Sequence, residues 1–277
     1  MLQRIGLIAA SMLVFAANAL AAPDEQVCAD DIHATIERDL HIENFAGRAQ
    51  EDRRFIVSQA CRIWPYAPEY TLAALAYDEG VENEKNIVVA IIDRERKRVI
   101  SSKQWKIEED ALTEIGEYSL KLDTARYQLA GNVRAFGLRF QSSATGASCP
   151  DARFGDTLIL LFPQGKSLRQ VLDLYMYHQR AIQGCLSGQV PNVIWEEAVL
   201  AVGIENTRTN GFYDLRVTAS ISPGSNEEPT GSAKKRVERV ILRYNGKHYE
   251  ASGKSPWWLL WSLEPPFMES PAVMLKE

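Results

Sequence analysis

Eleven short segments between Tyr70 and Ala251, rich in β-branched and aromatic residues and broken by Gly, Pro, Asn and Asp, confine this chain to a strand-built body. Successive side chains of a strand point to opposite faces, so such segments bury apolar area only by pairing into sheets. They are Tyr70–Tyr77, Ile87–Asp93, Arg98–Trp105, Ser119–Leu122, Val133–Gln141, Thr157–Phe162, Leu168–Leu174, Val193–Ile204, Tyr213–Ile221, Val237–Tyr244 and Lys247–Ala251. Turn chemistry joins them at Asp93–Lys97, Pro163-Gln164-Gly165-Lys166, Asn210-Gly211 and Asn245-Gly246. Both Asn-Gly pairs suit type I′ hairpins, whose two central residues need positive φ. Pro223–Ser232, rich in Ser, Gly, Glu and Pro, reads as a loop.

Ahead of Pro68 the period is helical. Cys28, Ile32, Ile36 and Leu40 recur every four residues and place one apolar stripe on a helix that His41 and Asn44 would end. A second helix is expected from Ala49 to Ile63, with Asp52, Ile56, Ala60 and Ile63 on one side and Pro65 stopping it. Packed antiparallel, the two would form a helical hairpin in front of the β body.

Residues 1–21 have the form of a secretory signal peptide. Arg4 precedes an apolar run from Ile5 to Ala17 that is too short to span a bilayer, and Ala19-Leu20-Ala21 supplies a small-x-small site. Pro23 blocks cleavage directly before it, so Ala21–Ala22 is the expected scissile bond, and the mature protein is expected in the periplasm or outside the cell. The chain divides accordingly into the signal (1–21), a helical segment (22–68) and the β-rich body (69–277). No later apolar run is long enough for a membrane span. The even set Cys28, Cys61, Cys149 and Cys185 lies wholly in the exported part and reads as two disulfides rather than a metal site, because no C-x-x-C or spaced His pair accompanies it. Four cysteines allow three pairings; Cys28–Cys61 and Cys149–Cys185 are preferred because each stays within one segment. A net charge of −5 argues against nucleic acid and anionic lipid as partners. The basic runs Arg94–Arg98 and Lys234-Lys235-Arg236 fall at expected turns and read as solvated tips.

Leu160–Lys166 and Leu242–Lys247 repeat a strand, aromatic, tight turn and Lys, which suggests duplicated hairpins. Asn206-Thr207-Arg208-Thr209-Asn210-Gly211-Phe212-Tyr213-Asp214-Leu215 resembles the calcium-binding turn of FG-GAP propeller repeats. Asn206, Asn210, Gly211 and Asp214 match that pattern, while Arg208 puts a cation where an oxygen ligand belongs. Calcium wants six to eight oxygens, so a metal-free hairpin is expected. With Tyr244-Asn245-Gly246-Lys247-His248-Tyr249, this stretch is similar to uncharacterised exported bacterial β-rich proteins; the resemblance implies a β scaffold and no activity or cofactor.

Catalytic signatures are sparse. There is no G-x-S-x-G elbow and no H-E-x-x-H. Of the four histidines, His178 is the one of interest, because it follows Tyr175-Met176-Tyr177 near an expected aromatic cleft. Trp195 beside Glu196-Glu197 has the composition of a sugar-gripping site, but neighbours on a strand point to opposite faces, so these two carboxylates cannot act as a glycosidase pair. Pro256-Trp257-Trp258-Leu259-Leu260-Trp261 is a densely apolar stretch that either offers a docking patch or closes the core. The fold expected is therefore α+β: an N-terminal helical hairpin, then a mostly antiparallel β body with duplicated hairpins. The function expected is an exported binding or interaction module, in one version an inhibitor or immunity protein. It would engage an envelope protein, peptide or glycan through Trp257, Trp258, Trp261, Trp195, Glu196, Tyr175 and His178. The alternative is an envelope glycan hydrolase using carboxylates near Trp195.

Overall fold

The structure, a computed structural model, describes residues 26–42, 55–187, 190–226 and 234–260. The signal segment and Trp261 lie outside them. One helix, α1 (Asp30–Leu40), precedes the strands β1 (Phe55–Ile63), β2 (Tyr70–Asp78), β3 (Glu84–Asp93), β4 (Arg98–Glu108), β5 (Leu120–Ala130) and β6 (Val133–Phe140). Then come β7 (Ala152–Gln164), β8 (Ser167–Gln183), β9 (Ile194–Thr209), β10 (Phe212–Ser225), β11 (Arg236–Tyr244), β12 (Tyr249–Ala251) and a single helical turn, α2 (Trp257–Leu260). Each of the eleven expected segments overlaps a strand of its own, the last of them only over Tyr249–Ala251.

Among the described residues the expected helical hairpin is absent, residues 49–54 of its second helix lying outside them, and the α+β assignment gives way to a mostly β protein. Phe55–Ile63 is a strand paired antiparallel with β2, from Phe55 opposite Asp78 to Ile63 opposite Thr71. The every-fourth-residue pattern that suggested a helix is also compatible with alternation: Ser58 and Ala60 are buried while Val57, Gln59 and Cys61 are less so. With β-branched Ile56, Val57 and Ile63 in the segment, a partner strand decides the outcome. The helix α1 does form, and His41 ends it in the left-handed region at φ 55°. The two disulfides are Cys28–Cys61 and Cys149–Cys185. The first ties the start of α1 to a strand rather than to a second helix, and the Cys61 N–H donates to the Gln26 carbonyl beside it at 2.8 Å.

All the strands share one sheet of twelve among the described residues. Its order is β1-β2-β3-β4-β8-β9-β10-β11-β12, and β5, β6 and β7 join through β8. Pairing is antiparallel except at β4–β8, which meet at one parallel pair, Ser102 with Ser167. Three apolar cores result. Ile32, Ile36 and Leu40 of α1 cover Ala73, Leu75, Val88 and Ala90 on the outer face of β2–β3. The inner face of the same strands packs Leu72, Ala74, Ile87 and Val89 against Phe136, Leu138, Ile159 and Leu161 of β6–β7. Leu158, Leu160 and Phe162 of β7 turn the other way, into a third core with Leu174, Val217, Leu242 and Trp258. The unbroken apolar run Leu158–Phe162 therefore reflects a strand covered on both faces. β5 serves two cores in succession: Leu120 and Leu122 enter the middle one, and Tyr127 and Leu129 enter the third after an irregularity at Asp123/Tyr127.

Only one Asn-Gly pair makes the expected turn. Asn210 and Gly211 have φ 50° and 84°, the type I′ signature, between the paired residues Thr209 and Phe212. Asn245-Gly246 sits instead in a four-residue loop between Tyr244 and Tyr249, where Asn245 Oδ1 accepts the N–H groups of Lys247 and His248 at 2.9 and 3.0 Å. The loop after β7 is tighter, two residues led by Gly165 at φ 63°. The two hairpins that look duplicated in sequence thus differ in turn geometry. The loop expected at Pro223–Ser232 starts late, since β10 runs on through Pro223 and Gly224 to Ser225; past Ile221 it has no β11 partner, so a Pro is tolerated there.

Candidate functional site

Along β8, β9 and β11 the register sorts the candidate residues onto two faces. Arg180 stands opposite Glu196, and Gln179 opposite Glu197. Ala198 and Leu200 point into the third core, so Glu196 shares their inner face, while Trp195, Glu197 and Val199 point outward.

The inner row is a closed chain of ion pairs. Glu196 Oε2 accepts from Arg180 Nη2 at 2.7 Å, and its other oxygen accepts from Arg236. Arg236 Nε donates to Glu238 Oε1 at 2.9 Å, and Trp258 Nε1 donates to Glu238 Oε2 at 2.8 Å. The Arg180 guanidinium lies 4.4 Å from the Trp257 ring centroid, so α2 is held at both of its first residues. Hydrogen bonding from Arg236 first, then from Arg180, holds the Glu196 carboxyl below its ordinary range. Hydrogen bonding from Trp258, then Arg236, does the same for Glu238. Carboxylates so stabilised as anions are poor proton donors. Arg236, read from sequence as part of a solvated tip, is the hub of this row.

Of the terminal aromatics, Trp258 belongs to the core and Trp257 packs against it. Trp258 and Leu259 are fully buried, and Trp257 is half-buried with its Nε1 unpaired among the described residues. His178 is 2% exposed, and its Nε2 lies 3.1 Å from the Tyr175 carbonyl, which makes that nitrogen the N–H donor. Burial pushes the imidazole down to about 4, so it is neutral near pH 7. The expected aromatic cleft is filled: the Tyr175 ring packs 4.7 Å from Phe154 and 6.1 Å from His178, and burial pushes its phenol up to about 12.

At the calcium-like turn, Asp214 is buried and accepts from the Thr207 hydroxyl at 2.7 Å. Asn210 donates to the Tyr244 carbonyl at 2.8 Å, and the Arg208 guanidinium stacks 4.0 Å from the Tyr213 ring. The matching side chains thus serve the hairpin and its neighbour. No group of three His, Cys, Asp or Glu side chains among the described residues could hold a metal.

Trp195 lies part-buried on the outer face of β9. Its indole covers Gly224, its partner across β9–β10, so closely that a Cβ on Gly224 would fall 2.3 Å from the ring. The indole therefore reaches across the Gly224 backbone, and Trp195 as a whole is part-buried. Gln179, Glu197 and Ser222 form the next row on that face, and Tyr177, Val199 and Ser220 the one beyond. Val199 is 53% exposed, and Glu197 makes no ion pair among the described residues. Neither Gly224 nor Gln179 stands out in sequence, because each matters only through the strand beside it. No protein-family model, curated protein or solved structure matches the chain.

Proposed function

We propose that this is an exported, non-catalytic binding module whose contact surface is the outer face of β8–β10 around Trp195, and that it engages an envelope glycan. The signal-like residues 1–21 and the two disulfides support residence in an oxidising compartment, periplasmic or extracellular. No helix among the described residues is long and apolar enough to cross a membrane.

The observation that carries the reading is the close seating of the Trp195 indole over Gly224 beside Gln179 and Glu197. A pyranose ring offers an apolar face to an indole, and its equatorial hydroxyls reach amide and carboxylate groups in the same plane. On the inner face, Glu196 is neutralised by two guanidiniums, which removes the acid that a hydrolase at this place would need.

The test is co-sedimentation of residues 22–277 with insoluble envelope glycan, beside Trp195→Ala and Glu196→Gln, with released reducing ends assayed in parallel. Binding that falls about tenfold or more in Trp195→Ala, without release of sugar, is the expected result. Equal pelleting of the Trp195 variant would overturn the site, and sugar release that Glu196→Gln abolishes would establish the hydrolase instead.

A further inference from the structure

The sheet has one weak seam, where β4 meets β8. Outside the single pair Ser102–Ser167, β4 and its partner hairpin are joined by the Ser102 N–H to the Lys166 carbonyl at 3.0 Å and by the Ser101 hydroxyl to the Gly165 carbonyl at 2.7 Å. Deeper in, a side-chain chain crosses it: Trp105 Nε1 donates to Gln170 Oε1 at 3.3 Å, and Gln170 Nε2 reaches Asp173 Oδ2 at 3.4 Å. An indole N–H can only donate, so it fixes which way the Gln170 amide points and leaves Asp173 facing an amide donor. Asp173 is 8% exposed, and its Oδ1 is buried with no hydrogen-bond partner among the described residues.

Among the described residues no cation faces Asp173. On β8 its titratable neighbour is Tyr175, which Asp110, from the segment after β4, also faces. β7 presents Ile159 opposite it. From β4 comes Trp105, with the Lys103 ammonium 5.2 Å from that ring and in no ion pair with Asp173. A carboxylate taken out of water without a countercharge or full hydrogen bonding costs several kcal/mol, and a carboxyl so placed keeps its proton instead.

We propose that Asp173 is a neutral carboxylic acid in the folded protein and that closure of the β4–β8 seam depends on its staying uncharged, making this a pH-sensitive joint between β1–β4 and the rest of the sheet. Burial holds the group well above the usual carboxylate range. Its folded-state pKa is raised, so its contribution to closure is complete below the ordinary Asp value of about 3.9 and weakens as pH rises, by at most about tenfold in the opening equilibrium per unit. Ionisation draws water to Oδ1, and the seam is where water can enter.

Hydrogen exchange on the whole chain tests this. Protection of peptides spanning residues 101–107 and 167–173, corrected for intrinsic rates, is expected to fall as pH rises above about 5, by at most about tenfold per pH unit. Protection of β10 and β11 is expected to stay level, and Asp173→Asn to flatten the seam's response. Infrared spectra at pH 7 are expected to show a protonated carboxyl band that the variant lacks. An ionised Asp173 at pH 7, or seam protection that is flat with pH in the wild type, would overturn the proposal. Both readouts on the wild type suffice if the variant does not fold.

Discussion

Trp258 and Glu238 are joined by an indole N–H that donates to Oε2 at 2.8 Å, and the opposite oxygen of the same carboxylate takes the Arg236 guanidinium at 2.9 Å. Through that carboxylate a helix of one turn is fixed to the inner face of β11. So short a helix has no independent stability; its position depends on the buried indole and this bond.

Two substitutions separate those contributions. Trp258→Ala removes a fully buried ring and is expected to cost about 3–5 kcal/mol. Trp258→Phe keeps most of the packing, loses the donor to a charged acceptor, and is expected to cost about 1.5–3 kcal/mol. Urea unfolding reads both, and a Trp258→Ala variant as stable as the wild type would show that α2 does not close the core.

His178 makes stability depend on pH in the acid range. Its folded-state pKa lies at about 4 against an ordinary value of 6.5, so the unfolded chain binds the proton first. Its contribution is whole above about pH 6.5, shrinks as pH falls toward 4 and is constant below that. The loss between pH 7.5 and 4.5 is expected to be about 2–3 kcal/mol. His178→Asn should show a smaller drop in urea midpoint over that interval, and an equal drop in both proteins would assign the acid sensitivity to other groups.

Legibility followed the range of the interactions. Strands β2 to β12 were readable because turn residues such as Asn210-Gly211 and Gln164-Gly165 punctuate local patterns, and α1 because Ile32, Ile36 and Leu40 share one stripe. β1 was misread because Ile56, Ala60 and Ile63 are spaced like a helix face, and its partner, β2, is what makes them a strand. The candidate site shows the same division. Trp195 is conspicuous by type, but its seat on Gly224 and the row Arg180, Glu196, Arg236, Glu238 and Trp258 join residues from four separate elements. No local pattern announces them.

The disulfide Cys28–Cys61 closes a separation of 33 residues and Cys149–Cys185 one of 36, so loop entropy predicts nearly equal losses of about 3–4 kcal/mol for each double Cys→Ala variant. Their local effects should differ. Without Cys28–Cys61, α1 keeps only its apolar stripe and polar contacts such as Asp39 to the Val99 N–H at 2.7 Å, so exchange within Asp30–Leu40 should accelerate. Equal protection of α1 with and without the bond would mean that packing of Ile36 alone holds it.

Gly224 is the test of the seat itself. Its backbone is not in the left-handed region, so an alanine there meets no conformational penalty, and any effect comes from the indole that its Cβ would strike at 2.3 Å. The ring must lift off the sheet. Overpacking of this kind costs about 1–3 kcal/mol in a closed core, and less here, because Trp195 is only part-buried. Gly224→Ala is therefore expected to leave urea stability within about 1 kcal/mol of wild type while glycan co-sedimentation falls as far as in Trp195→Ala. Ser222→Ala, one row away, should change neither seat nor stability. Binding retained in Gly224→Ala with a displaced ring would show that the indole's seat on Gly224 is not what the partner recognises.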